Sequence, residues 1–181
     1  MFWEKFGASN GQVRLLYVGR ISREKDLDVL ANSYRRLRDE GLSVQLFVVG
    51  HGPYTQGLSE LLPDAVFTGY LTGTELATAY ASADVFAFPS TTDTFGNVII
   101  EAQASGVPVV VSDSGGPKEL VEDEANGLIT KSHDVDDFTR AVRALIVDPG
   151  LRKRMGDCAR KSVVARSWPG AFRKFWATTE V

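Results

Sequence analysis

A single cysteine, Cys158, occurs in the 181-residue sequence. One cysteine excludes an internal disulfide and a cysteine-rich metal site. It lies in a charged segment whose pattern predicts a helix, so we expect an ordinary thiol, at the surface or half-buried. The sequence therefore gives no reason to assign it any chemistry.

Long apolar runs and a strong net charge are also lacking. No run is long enough to span a bilayer, and the first five residues do not resemble a secretory signal. The formal net charge is −3, from 20 Lys and Arg against 23 Asp and Glu. This balance gives no electrostatic reason to expect nucleic acid or an anionic membrane as the main partner. We therefore expect one cytoplasmic domain with a proper core.

Several catalytic motifs are missing as well. There is no lysine in the pattern G-x-x-x-x-G-K-[ST], so the sequence does not support a nucleotide hydrolase. No serine lies in G-x-S-x-G, and two histidines with one cysteine leave little for a nucleophile and its base. Nothing near His51 forms a Cys/His set, so we expect no metal site.

What the sequence does contain is apolar runs that alternate with amphipathic stretches. Residues 12–19 and 44–50 are apolar runs that end in glycine, a pattern typical of buried parallel strands. Between them, residues 26–40 place apolar side chains at three- and four-residue spacing, which predicts an amphipathic helix that ends at Gly41. The alternation continues and predicts strands at 65–68, 85–88, 107–112 and, more weakly, 127–130, with helices at 55–62, 74–82, 97–104, 134–147, 151–165 and 168–178.

This alternation predicts the fold class. Near-continuous apolar strands between helices indicate a doubly wound α/β fold, with a mainly parallel sheet of about six strands and helices on both faces. Ligands of such sheets bind outside the carboxyl ends of the strands. We therefore expect the functional residues in the loops that follow strands.

Two cations follow the first predicted strand. Arg20 comes directly after Gly19, and Lys25 lies just before the helix. Arg offers a planar bidentate fork and Lys a compact point charge, which suits two adjacent phosphates. The alternative is that both are solvated loop charges, as most surface Lys and Arg are. The loop by itself does not decide between the two.

The loop after the fourth strand raises an electrostatic question. Gly96 precedes the predicted helix 97–104, and a helix N-terminus attracts anions. Yet the segment 90–106 carries two carboxylates, Asp93 and Glu101, and no cation. The segment by itself does not identify a ligand that needs a helix N-terminus together with two carboxylates, nor does it show where the positive charge comes from.

The remaining strand-following loops all carry glycine. The second is Gly50-His51-Gly52-Pro53, the third contains Gly69 and Tyr70, and the fifth contains Gly115 and Gly116. Glycines at these points allow close backbone approach, and the Tyr70 backbone could meet the edge of a flat ring. Each loop is also compatible with an ordinary turn, and we assign no role to His51. Each loop is weak evidence by itself, and only the five glycine-bearing loops taken together indicate a ligand site.

The order of the motifs along the chain is specific. It runs Val18-Gly-Arg-Ile, Glu24-Lys, Val49-Gly-His-Gly-Pro, Phe67-Thr-Gly, Ala83-Asp-Val-Phe-Ala-Phe-Pro-Ser, Phe95-Gly with Glu101-Ala, Gly106-Val-Pro-Val, and Gly115-Gly. This set resembles the C-terminal domain of the retaining group 1 glycosyltransferases (family 4), which have a B-type fold of two Rossmann-like domains. The resemblance extends from about residue 13 to residue 176.

The resemblance implies roles for particular residues. Arg20 and Lys25 match the pair that holds the diphosphate of a nucleoside diphosphate sugar. Two acidic residues separated by seven match Asp93, which faces the hydroxyls of the donor sugar, and Glu101, which accepts hydrogen bonds from the ribose. These four residues form the expected catalytic set, and the expected donor-binding set is Gly19, Gly50, Gly69, Tyr70, Thr94, Phe95, Gly96, Asn97 and Val98.

The resemblance also implies a mechanism of transfer with retention, without a required metal or other cofactor. Arg20, Lys25 and the amides near Gly96 stabilise the charge that develops on the departing diphosphate. The two carboxylates position hydroxyls and do not transfer protons. The first acidic position usually holds Glu, and Asp93 is one methylene shorter, so the identity of the donor sugar stays open.

The same resemblance implies a domain organisation. Residues 1–12 are expected to be the tail of a linker from a missing N-terminal half, and residues 13–181 the nucleotide-sugar-binding domain. The last helix, 168–178, is expected to pack back toward the missing domain, which would hold the acceptor pocket. A membrane-bound lipid or a polysaccharide is an acceptor consistent with this, with the full-length protein peripheral to the inner membrane. The isolated domain is expected to be inactive.

Two other functions remain open at this stage. A non-catalytic nucleotide-binding module could use the same fold and would bind nucleotide without transferring sugar. A nucleotide-sugar epimerase of the same fold is a further alternative, although the sequence shows no second constellation of carboxylate and histidine to support it.

Overall fold

A computed structural model of the protein describes residues 2–7 and 11–165, so the helix expected at 168–178 lies outside the described residues. The strands are β1 Val13–Val18, β2 Val44–Val49, β3 Val66–Gly69, β4 Val85–Phe88, β5 Val109–Ser112 and β6 Gly127–Thr130. The α-helices are α1 Leu27–Asp39, α2 Thr55–Leu61, α3 Gly73–Ala81, α4 Asn97–Ala104, α5 Val135–Val147 and α6 Pro149–Ala165. Short 3-10 helices occupy Phe2–Phe6, Arg23–Lys25 and Pro117–Leu120.

All six strands form one parallel sheet with the order β3-β2-β1-β4-β5-β6. The predicted doubly wound α/β fold is thus confirmed. The strand order reverses between β1 and β4, which are neighbours although two strands separate them in sequence. A crevice opens where such a reversal occurs, because the connections on either side leave in opposite directions. The loops after β1 and β4 therefore border one crevice.

The helices cover the sheet in two layers that close the core. Helix α1 packs against α2 and α5, whereas α4 packs against α3 and α6. The four residues of β4 and the four of β5 are all buried, which explains why these strands are continuously apolar in sequence. The sheet is therefore a rigid base from which the loops project.

Two predicted element starts differ from the structure by two residues, and the other starts within the described residues agree to within one residue. Strand β5 begins at Val109 and not at 107, because the Val107 N–H donates to the Ala102 carbonyl and so completes the end of helix α4. Helix α6 begins at Pro149 and not at 151, with the Asp148 carboxylate accepting from the Leu151 N–H. Proline is well suited to the first helical position because that N–H has no partner in the helix.

The segment predicted to be a linker tail packs onto the domain. Trp3 is 1% exposed, and its ring stacks on Phe47 of β2 with a centroid distance of 4.2 Å. Its indole N–H donates to the Ser82 carbonyl at 3.1 Å, and the Lys5 ammonium pairs with Glu75 at 2.7 Å. Trp3 therefore belongs to the core, and Phe2 and Phe6 pack partly buried against it.

Candidate functional site

A cleft of about 290 Å³ lies at the reversal of strand order, between the loop after β1 and the start of α4. Nine of the residues predicted from sequence line it: Gly19, Arg20, Lys25, Asp93, Thr94, Phe95, Gly96, Asn97 and Val98. The cleft is walled at its base by Tyr17 and Phe88, whose rings stack at 5.8 Å. The fold thus gathers two segments that are far apart in sequence into one site.

The cation missing from the loop after β4 is Lys25. Its ammonium lies 2.9 Å from Oδ2 of Asp93, although the two residues are 68 positions apart. The same carboxylate oxygen accepts a hydrogen bond from Ser90, which is fully buried. The side chains of Lys25 and Asp93 are 16% and 26% exposed, so the pair is only partly screened by water. An arriving anion can share the Lys25 ammonium with Asp93.

Arg20 stands at the rim of the cleft with an exposed side chain. Among the described residues, its guanidinium makes no hydrogen bond or ion pair, and its backbone carbonyl accepts from the Tyr17 hydroxyl at 3.0 Å. Burial and the nearby Asp93 carboxylate raise the pKa of Tyr17 well above its usual value, so the phenol stays a neutral donor. Tyr17 therefore fixes the backbone at Arg20 and leaves the guanidinium available.

The sequence analysis treated Tyr17 only as part of an apolar strand. A signal was present, because a tyrosine stands in an otherwise aliphatic strand two residues before Gly19. A Cβ atom on Gly19 would lie 2.9 Å from the Tyr17 hydroxyl oxygen, so the glycine leaves room for the phenol.

The N-terminus of α4 opens directly into the cleft. Gly96 precedes the helix with a φ of 79°, a left-handed conformation that favours glycine. Asn97 and Val98, the first two helical residues, line the cleft, and no side chain of the described residues caps this helix end. The first N–H groups of a helix have no intrahelical partner and carry the positive end of its dipole. The geometry therefore offers an anion both backbone amides and the Lys25 ammonium.

The loop after β5 supports the loop after β4 from behind. The Gly116 N–H donates to the Asp93 carbonyl at 2.8 Å, and a Cβ on Gly116 would lie only 1.9 Å from the Thr94 carbonyl oxygen. The two backbones are in contact here, with no space for a side chain between them. Gly116 thus fixes where Asp93 and Thr94 stand in the cleft.

Replacing Gly116 with Ala tests this backbone contact. The φ of −70° at Gly116 suits alanine, so the effect comes from the clash with Thr94 alone. We expect a loss of about 1–3 kcal/mol in the free energy of unfolding, as for other forced overpacking. The measurement is chemical denaturation, with Gly150→Ala in helix α6 as control. Equal stability of Gly116→Ala and the native chain would contradict the close contact.

The second and third loops lie behind the cleft and are joined by backbone hydrogen bonds. The Gly19 N–H donates to the Val49 carbonyl at 3.0 Å, and the Gly50 N–H donates to the Gly69 carbonyl at 2.8 Å. A Cβ on Gly50 would lie 2.0 Å from the Gly19 carbonyl oxygen. Gly50 and Gly69 therefore support the site through the main chain and do not line the cleft.

Tyr70 projects away from the sheet. Its side chain is 76% exposed, and its ring lies 6.2 Å from the ring of His51 in the neighbouring loop. The structure therefore places Tyr70 at the edge of the site, outside the cleft that holds Lys25 and Asp93.

Glu101 occupies a separate groove. It lies one turn after Asn97 on α4, and it lines a groove of about 400 Å³ between α3 and α4 together with Leu76, Tyr80 and Ser105. The two predicted carboxylates thus line different cavities, Asp93 the cleft and Glu101 the groove. A ligand that contacts both has to extend from one cavity into the other.

A carboxylate that the sequence analysis missed fastens three loops at the edge of the cleft. Asp26 directly follows Lys25 and has a φ of 52°, uncommon for a residue other than glycine. Its two oxygens are engaged separately, by the Thr91 hydroxyl at 2.6 Å and by Nδ1 of His133 at 3.0 Å. The adjacent Thr92 hydroxyl donates to the Glu24 carbonyl at 3.1 Å. These contacts hold the Lys25 loop against the loop after β4.

The described residues contain neither a metal-binding cluster nor a membrane-spanning helix. Within residues 2–7 and 11–165, no group of three His, Cys, Asp or Glu side chains lies close enough together to hold a metal ion. No helix in this described part of the chain is long and apolar enough to cross a membrane. Cys158 is free and exposed on α6, as its sequence context predicts.

Comparison with known proteins places this geometry in context. The family model described as glycosyl transferases group 1 matches residues 3–162. A GDP-mannose-dependent alpha-mannosyltransferase of Mycolicibacterium smegmatis is 45% identical over 154 residues, which cover 84% of this chain and 39% of that protein.

Solved structures share the fold. A sucrose-phosphate synthase from Thermosynechococcus elongatus superposes with a TM-score of 0.78 at 26% identity, covering 98% of this chain and 49% of that one. Anabaena HepE in complex with UDP superposes with a TM-score of 0.83 at 23% identity, covering 98% of this chain and 50% of that one, and this likeness concerns the fold. The chain spans about half or less of the length of the proteins it matches.

Proposed function

The chain belongs to the group 1 glycosyl transferases, and we propose that it is the donor-binding part of a retaining enzyme that transfers a hexose from a nucleoside diphosphate sugar. The observation that carries the proposal is the cleft at the reversal of strand order. There the Lys25 ammonium, the exposed Arg20 guanidinium and the uncapped start of α4 surround one space. This combination suits a diphosphate, which carries negative charge on adjacent phosphoryl groups.

Each group has a part in the proposed transfer. The bond between the anomeric carbon and the diphosphate breaks, and the electron pair leaves with the diphosphate. Lys25 and the amides at Asn97 and Val98, which the fold already holds in place, stabilise that developing charge, and the exposed Arg20 guanidinium adds a second cation at the rim. The acceptor oxygen forms the new bond to the anomeric carbon on the same face, and its proton passes to an oxygen of the departing diphosphate. Metal ions and other cofactors are not part of the proposal.

The carboxylates bind the uncharged parts of the donor. Glu101 lines the groove between α3 and α4, where it can accept hydrogen bonds from ribose hydroxyls when the diphosphate occupies the cleft. Asp93 lines the cleft itself and keeps one oxygen on Lys25 and Ser90, which leaves its other oxygen for a sugar hydroxyl. The exposed loops at His51 and Tyr70 are then the place where the base lies.

In this proposal the pocket that binds the acceptor lies in another part of a longer protein. The chain covers 39% of the similar mannosyltransferase and 49% of the sucrose-phosphate synthase structure, so a second part of comparable size accompanies this region in those proteins. We propose that such a part supplies the acceptor pocket, and that the acceptor is a membrane lipid or a polysaccharide. The 181-residue chain is then expected to bind donor without transferring its sugar.

Calorimetric titration of the 181-residue chain with UDP-, GDP- and ADP-sugars tests the proposal. We expect saturable binding with a Kd between about 1 μM and 1 mM, the range typical of enzyme substrates. One base should be preferred, because the loops at His51 and Tyr70 contact one edge of the base in this proposal. The corresponding nucleosides, which lack phosphates, are the control and should bind much more weakly. Absence of binding to all three donors at millimolar concentration would refute a donor site in this chain.

A further inference from the structure

The groove between α3 and α4 contains a buried hydroxyl that the proposed function does not use. Tyr80 of α3 is 2% exposed, and its ring packs against Phe86 of β4 with a centroid distance of 5.7 Å. Its hydroxyl oxygen is shielded from water, and it has no hydrogen-bond partner among the described residues. Buried polar groups are rarely left without a partner, because desolvation without a hydrogen bond costs stability.

The charged group that acts on this hydroxyl is Glu101. Tyr80 and Glu101 line the same groove from opposite helices. Burial, the negative charge of Glu101 and a hydrogen-bond interaction with its carboxylate raise the pKa of Tyr80 well above its usual value, so the phenol keeps its proton at physiological pH and can donate it in a hydrogen bond. The Ser105 hydroxyl, also in this groove, already donates to the Glu101 backbone carbonyl at 2.9 Å. The carboxylate is therefore the acceptor available to Tyr80.

Glu101 itself is exposed and free to change rotamer. An ionised carboxylate has about four acceptor positions, so it can take one hydrogen bond from a phenol and two from a pair of neighbouring hydroxyls. A phenol fixed in the protein interior gives such a carboxylate a single orientation. In the free protein the Tyr80 hydroxyl interacts with the Glu101 carboxylate without a hydrogen bond of normal geometry, and a turn of the carboxylate would complete that bond.

We propose that Tyr80 is a positioning residue for Glu101. When ribose hydroxyls engage Glu101, the carboxylate turns toward the Tyr80 hydroxyl and accepts its hydrogen bond, which holds the carboxylate against the ribose. This inference rests on the proposed donor site. It adds that recognition of the ribose depends on a buried tyrosine which itself does not touch the nucleotide.

Substitution Tyr80→Phe in the 181-residue chain tests the inference, because it removes only the hydroxyl. In the free chain the variant should be as stable as the native protein or more stable, since an unpartnered buried group is gone. Its affinity for the preferred nucleoside diphosphate sugar should fall about 10-fold, the value of one hydrogen bond to a charged group. Its affinity for the 2′,3′-dideoxyribose analogue should not change. Thermal unfolding and calorimetry provide the two readouts.

A matched control is available in Tyr34. This tyrosine of α1 is also 2% exposed, and its hydroxyl likewise has no partner among the described residues, but it lines a different pocket that contains Arg38 and Leu62. Tyr34→Phe should leave the affinity for both ligands unchanged. A similar loss in both tyrosine variants would show a general effect of the substitution and refute the inference.

The other outcomes are distinguishable. Equal loss of affinity for the ribose and dideoxyribose ligands in Tyr80→Phe would show that Tyr80 has only a structural role, which refutes the inference. Equal binding of the two ligands by the native chain would show that Glu101 does not bind ribose, which refutes the inference and leaves the donor site standing. Absence of any nucleotide binding by the native chain would refute the proposed function and this inference together.

Discussion

The double variant Arg20→Ala/Lys25→Ala is expected to bind the preferred nucleoside diphosphate sugar at least about 100-fold more weakly than the native chain. A hydrogen bond between charged groups contributes about 1.5–3 kcal/mol, so two of them account for a factor of this size. The loss should fall on phosphate-bearing ligands alone, because neither side chain faces the groove of Glu101. Calorimetric titration with the nucleotide sugar and with the nucleoside measures both.

Arg23→Ala is the matched control for this variant. Arg23 lies in the same loop, but its guanidinium stacks over Tyr54 at 4.2 Å and is directed to Asp28, away from the cleft. Its removal lowers the positive charge of the loop by the same amount as the removal of Arg20. An equal loss of affinity in Arg23→Ala would mean that the loop acts only through its overall charge, and the assigned contacts would be wrong.

The Lys25–Asp93 pair refines the same experiment. Lys25→Ala alone leaves a partly buried carboxylate next to the expected diphosphate, which repels it. Addition of Asp93→Asn removes that charge and should restore part of the affinity, so that the two substitutions are not additive. If Asp93 served only to bind the donor sugar, the second substitution would weaken binding further.

Substitution Trp3→Ala is expected to destabilise the chain by about 3–5 kcal/mol, as for other buried tryptophans. The side chain is 1% exposed, stacks on Phe47 and also donates to the Ser82 carbonyl, so its removal leaves a cavity and an unpaired carbonyl. A loss of this size is a large fraction of the stability of an ordinary domain. Urea denaturation monitored by far-UV circular dichroism measures it.

Two further variants separate the contributions at Trp3. Trp3→Phe keeps a ring against Phe47 but loses the indole N–H, and it should show a smaller loss. Phe95→Ala removes another large aromatic ring, but that ring is 58% exposed, so the stability should change by less than about 0.5 kcal/mol. A stability of Trp3→Ala close to that of the native chain would show that Trp3 is not part of the folded core.

Much of the fold follows from local sequence. Apolar runs that end in glycine predicted both ends of each of the first two strands to within one residue. This worked because a buried parallel strand needs a continuous apolar stretch followed by a tight turn. The reversal of strand order next to β1 then explains why Arg20, Lys25 and Asp93, which sequence analysis grouped by their position after strands, surround one cleft. The grouping was predictable because parallel strands all present their carboxyl ends at one edge.

Other features depend on tertiary contacts that no local pattern reveals. Trp3 stands in a short segment with no periodicity, and only its partners Phe47 and Ser82 make it part of the core. Asp93 precedes α4 and lines the cleft, whereas Glu101 lies on α4 and lines the groove toward α3, a difference that no local pattern shows. Asp26 and His133 are more than 100 positions apart and belong to no motif, so their contact could not be anticipated.

The way in which the second and third loops are attached has a consequence for protein engineering. The Gly19 N–H donates to the Val49 carbonyl and the Gly50 N–H donates to the Gly69 carbonyl, whereas the neighbouring His51 and Tyr70 side chains are exposed. The main-chain structure of this region therefore does not depend on the His51 and Tyr70 side chains. If the donor site is as proposed, libraries that vary positions 51 and 70 are expected to alter which base is accepted while Arg20 and Lys25 keep their positions.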